Sequence, residues 1–82
     1  MKTNYARRLR CLRVLRRARQ KLQADDSLSI CDAVTVACSE LGASKRERLA
    51  VLCVAGRELA EFGADEAARM REFSQSVFGE PS

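Results

Sequence analysis

Apolar residues recur in this chain at three- and four-residue spacing in four successive runs, the repeat of amphipathic helices. In the first run Tyr5, Leu9, Leu12, Leu15 and Leu22 fall on one side at 100° per residue, with Ala18 and Cys11 at its edge. Arg10, Arg13, Arg17 and Lys21 fall on the opposite side, which predicts a helix over about 4–23 with a solvated cationic back. Arg8 and Arg19 intrude on the apolar side, where their aliphatic stems are expected to lie along it. Gln23 to Ser29 reads as a turn rich in capping residues. A second helix over about 27–41 follows, with Ile30, Val34, Ala37 and Leu41 as its seam, Cys31 and Cys38 on the flank, and Gly42 as its stop.

The third run is the one the others must cover. Ser44-Lys45-Arg46-Glu47 has the capping-box spacing, and Leu49, Val51, Leu52, Cys53, Ala55, Gly56, Leu59, Ala60 and Phe62 spread apolar character over roughly half the circumference. This predicts a central helix over 44–62, covered on two sides. Gly56 costs that helix about 1 kcal/mol relative to alanine. Either it is an uncompensated weak point or, with Ala60, it offers a flat surface that a neighbouring backbone approaches. A last helix over about 65–78 places Ala67, Met70, Phe73, Ser74 and Val77 on one face and Phe78 to one side, before Gly79 and Pro81. The link at Gly63 is short enough that one long kinked helix over 44–78 is the other arrangement the pattern allows.

The expected fold is therefore all-α: one domain, 1–82, a compact bundle of three to four helices with short links. A chain of 82 residues buries only about 60–65% of its unfolded surface. A homodimer is the expected way to make up the shortfall. No apolar run approaches the roughly 20 residues needed to span a bilayer, and no apolar h-region follows the basic start, so no secretory signal is expected. The arginine-rich start matches an organelle transit peptide in composition, but it is a large part of a short chain and is expected to belong to the fold. The expected compartment is the cytoplasm.

Charge is segregated. The first 24 residues hold nine of the 15 cations and no acid, whereas the remainder holds six cations against eleven acids, so +9 is followed by −5. The four cysteines form no Cys-x-x-Cys pair and the chain has no histidine, so zinc spacings are absent and no metal is expected. Cys11, Cys31, Cys38 and Cys53 read as small, buried, reduced hydrophobes. With no histidine, no glycine-rich phosphate loop and no carboxylate pair within an apolar run, neither catalysis nor a cofactor is expected.

Val36-Ala37-Cys38-Ser39-Glu40-Leu41-Gly42-Ala43-Ser44 resembles the first helix and turn of a helix-turn-helix DNA reader. The match then fails, since Arg48 stands where that family buries an aliphatic residue and Leu49 comes one place late. The helix that would read bases is also the most apolar in the chain. The cationic stripe of Arg10, Arg13, Arg17 and Lys21 admits several partners: a nucleic-acid backbone, an anionic lipid surface, an acidic protein surface (this chain's own or a partner's), or solvent alone.

Residues 5–22, Tyr-Ala-Arg-Arg-Leu-Arg-Cys-Leu-Arg-Val-Leu-Arg-Arg-Ala-Arg-Gln-Lys-Leu, together with uninterrupted helices on short links, resemble the small all-helical early proteins of temperate Mu-like bacteriophages of pseudomonads. Members of that group bind and disable host proteins such as pilus-assembly motors, quorum-sensing receptors and CRISPR complexes. The resemblance implies a protein-binding inhibitor acting in the host cytoplasm. It shares no motif on which a functional residue could be carried over. On this reading Arg10, Arg13, Arg17 and Lys21 supply the electrostatic contact with a host protein. Met70, Phe73, Val77 and Phe78 supply its apolar anchors. A nucleic-acid-binding regulator using the same four cations is the second expectation.

Overall fold

The computed structural model describes residues 2–78, with side chains over residues 6–77. Tyr5 as an apolar contact, and Gly79 and Pro81 as the final stop, lie outside the described residues. The chain forms α1 (Lys2–Ala24), α2 (Ile30–Leu41), α3 (Lys45–Glu58), a single 3-10 turn (Ala60–Phe62) and α4 (Ala64–Phe78). There is no strand among the described residues. No described helix is long and apolar enough to cross a membrane.

The helix ends follow from local chemistry. Asp25 Oδ1 accepts the Ser27 N–H at 3.0 Å and the Ser27 hydroxyl at 2.7 Å, and this turn holds Ser27 out of the helix. Ser29 therefore caps α2, its Oγ accepting the Asp32 N–H at 3.0 Å. Gly42 ends α2 at φ 70°, and the Gly42 and Ala43 N–H groups return to the Ser39 and Cys38 carbonyls, the pattern in which a left-handed residue satisfies the last orphan acceptors. The predicted capping box at α3 is present. Ser44 Oγ accepts the Glu47 N–H at 3.1 Å and Glu47 Oε1 accepts the Ser44 N–H at 3.0 Å. Beyond Leu59 the chain tightens into the 3-10 turn, so α3 and α4 are separate helices and α3 is shorter than its apolar run.

Successive helices run antiparallel, so α1 and α3 are parallel: Arg10 meets Glu47 near one end and Arg19 meets Glu58 and Glu61 near the other. The Cα atoms span 36 × 31 × 17 Å, and the thin dimension is that of two helix layers about 8–10 Å apart. α3 touches all three other helices, as its broad apolar face required. α4 packs almost solely on α3.

The core gathers Val14, Leu15, Ala18 and Leu22 of α1, Ile30, Ala33, Val34, Ala37 and Cys38 of α2, Val51, Ala55 and Leu59 of the α3 region, and Met70 of α4. Its largest fully buried side chains are aliphatic, and neither Phe62 nor Phe73 is among the buried residues: Phe62 is half-buried and Phe73 is exposed. Small residues let the backbones close up instead. A Cβ on Gly56 would lie 2.6 Å from the Met70 Cβ and 2.7 Å from the Ala67 carbonyl oxygen, so Gly56 is the seat of α4. Ala60 takes no part in that seat, being exposed in the 3-10 turn.

Three expectations are corrected here. The buried face of α1 is centred on Cys11, Val14, Leu15, Ala18 and Leu22, about a quarter turn from the leucine side, and Leu9 and Leu12 are exposed. Val14 and Ala18 win this contest because the rotation also brings the cationic flank against acids of α2 and α3. Leu41 is exposed rather than part of the α2 seam, and Ala33 takes up core space on that helix. Cys38 and Cys53 are buried and Cys11 half-buried, as expected of reduced thiols, but Cys31 is exposed.

Candidate functional site

The cationic stripe of α1 is largely consumed by the fold. Arg10 Nη1 donates to Glu47 Oε2 at 2.7 Å, Arg17 Nε to Glu40 Oε1 at 2.9 Å and Lys21 Nζ to Glu40 Oε2 at 2.7 Å. Arg19 pairs with Glu61, donates to the Glu58 carbonyl at 2.9 Å and lies over the Phe62 ring. The −5 body is thus where most of the stripe goes. Of the four predicted cations, Arg13 alone makes no ion pair among the described residues, and it shares the outer side of α1 with Arg16. Lys21 and Arg17 hold the Glu40 carboxyl below its ordinary range. The Ser44 backbone N–H, and after it Arg10, does the same for Glu47.

The predicted apolar anchors separate. Met70 is 8% exposed and belongs to the core against Gly56, so it is no free anchor; burial takes it because it is one of two α4 residues, with Ala67, that face α3 squarely. Phe73 and Val77 are 36% and 38% exposed and share a flank of α4, one turn apart. Phe78, the fourth expected anchor, lies outside the residues whose side chains are described.

Phe73 closes a shallow depression of about 400 Å³ whose other walls are Lys45, Arg46, Arg48, Leu49 and Leu52 of α3. A second depression continues from it across Leu52 and Phe73 to Arg69, Met70 and Cys31. The result is an apolar strip on the α3/α4 face, bordered by Lys45, Arg46, Arg48 and Arg69. None of these four makes an ion pair among the described residues. Three of them sit in the first turns of α3, where the helix dipole disfavours cations. The one acid there, Glu47, is turned inward to Ser44 and Arg10. Glu66, which lines the second depression, is committed to α2, accepting the Ile30 N–H at 2.8 Å and the Cys31 N–H at 3.0 Å.

Sequence reasoning missed Lys45, Arg46, Arg48, Leu49, Leu52 and Arg69 as a group. The usable signal was three cations at a helix start, which the helix dipole leaves unexplained. Another apolar groove of about 400 Å³ runs between α1 and α3 over Leu12, Leu15, Ala50 and Val54, with Arg7, Arg8 and Glu58 around it. It carries no aromatic side chain. No group of three acidic or thiol side chains that could hold a metal gathers among the described residues.

No protein-family model matches the chain, and neither curated sequences nor solved structures yield a protein similar to it.

Proposed function

We propose that this chain is a non-enzymatic protein-binding module whose docking surface is the α3/α4 face. The carrying observation is the pairing of exposed Phe73 and Val77 with four cations that have no ion-pair partner among the described residues. Aromatic side chains at the centre and arginines at the edge are the residues that dominate protein interfaces. On this reading the arginines of α1 are structural, and the likeness of α1 to early phage proteins makes occlusion of a host protein the module's effect.

Affinity capture with the wild-type chain and with a Phe73→Asp variant tests this. A stoichiometric protein partner retained by the former and weakened roughly tenfold or more in the latter is the expected result. Nucleic acid co-purifying with both, with no protein partner, would overturn it and favour the second reading, phosphate binding by Arg13, Arg16 and their neighbours on α1.

A further inference from the structure

Resting on that reading, we infer the chemistry of the partner: an amphipathic helix with an apolar stripe and acidic flanks, laid along the groove between α3 and α4. Two adjacent helices present the cleft into which a third helix packs by ridges and grooves. Leu49, Leu52 and Phe73 line it, and exposed Val77 lies one turn further along α4. The flanks are decided by charge. Lys45, Arg46, Arg48 and Arg69 border the strip without an ion-pair partner among the described residues. The local acids Glu47 and Glu66 are spent on Arg10 and on the α2 amides.

A carboxylate arriving on a partner therefore meets cations already destabilised by the positive end of α3, and neutralises them. A second copy of this chain fits less well. A two-fold contact through this face sets the same cations against themselves, and like charges across an interface oppose association. A nucleic-acid backbone would meet the cations but would set charged phosphates against the apolar leucines, where their desolvation has no compensating partner.

The test is fluorescence anisotropy with three labelled probes: a helical peptide with leucines on one face and glutamates on the others, the same peptide with lysines for glutamates, and duplex DNA. The acidic peptide is expected to bind at least about tenfold more tightly than the lysine form. That binding is lost in Phe73→Asp, and the preference between peptides reverses in an Arg46→Glu, Arg48→Glu double variant whose helicity is unchanged by circular dichroism. Equal or tighter binding of the lysine peptide, still dependent on Phe73, would overturn the acidic assignment and leave the docking surface standing. DNA binding indifferent to Phe73, or no binding by either peptide, would overturn both. A sedimentation dimer that Phe73→Asp turns into monomer, with the acidic peptide excluded, would replace the acidic helix by a second copy.

Discussion

Arg10 reaches from α1 to Glu47, the one carboxylate in the first turn of α3, and donates to it at 2.7 Å while Glu47 also caps Ser44. This single contact decides two matters at once. It turns a cation expected at the surface into a brace between helices, and it withdraws the one acid in the first turn of α3 from Lys45, Arg46 and Arg48. Glu47 has two tasks and Arg10, 68% exposed at its side chain, has one. Glu47→Ala should therefore lower the melting temperature clearly more than Arg10→Ala, whose exposed ion pair is worth little on its own. Equal losses would mean that the ion pair, not the cap, is what matters.

The pH dependence has a definite sign. The folded-state values of Glu47 and Glu40 are lowered by their hydrogen-bonded partners. Their contribution is thus fully present above the ordinary carboxylate value of about 4.3, and is lost as pH falls through the lower folded values. Burial raises the thiols of Cys11, Cys38 and Cys53, so their contribution is lost as pH rises past the ordinary thiol value of about 8.5. Thermal melts should show a plateau between roughly pH 5 and pH 8, with a decline on either side. Stability that rises steadily toward pH 3 would contradict the placement of both carboxylates.

Gly56→Ala tests the seat of α4. Helix propensity alone would stabilise this change by about 1 kcal/mol, but the new methyl meets the Met70 Cβ and a backbone carbonyl. Overpacking against backbone costs on the order of 1–3 kcal/mol, and each net kcal/mol lowers Tm by about 4–8 °C in a domain of this size. A further Met70→Ala change should not rescue it, because the clashing Cβ remains. A raised Tm in Gly56→Ala would show that α4 does not sit there.

Glu66 holds the start of α2 from another helix. Replacing it by alanine frees the Ile30 and Cys31 amides, which hydrogen exchange should report as local loss of protection, with a stability cost of about 1 kcal/mol. The Asp32 and Ala33 amides, held by Ser29, should keep theirs. Loss spread evenly through α2 would argue against a local cap.

The thiols should sort by exposure. Cys31 is expected to react quickly with a maleimide in the native protein, and Cys38 and Cys53 only on unfolding. Because Cys31 lines the same depression as Phe73, a bulky adduct there should also weaken docking of the acidic peptide. Fast labelling of Cys38 would contradict the packing of α2.

Local signals were legible in the sequence: the capping box at Ser44, the stop at Gly42, the central place of α3 and the all-helical bundle. Rotations about helix axes were not. The leucines of α1 outnumber its small buried residues, so periodicity pointed to Leu9 and Leu12; the winning orientation depends on Glu40 and Glu47, which lie far along the chain. The same long-range pairing hid the site. The arginines of α1 are dense in the sequence, whereas the sparser cations of α3 are distinguished only by the engagement of their acidic neighbours elsewhere in the fold. Met70 was misplaced because the α4 face is buried only where Gly56 admits it.

Hydrogen–deuterium exchange of the chain with and without its docked partner or the acidic peptide reads the surface directly. The account predicts new protection over residues 45–52 and 69–77 and none over 7–16. Protection confined to 7–16, with the α3/α4 face unchanged, would contradict it.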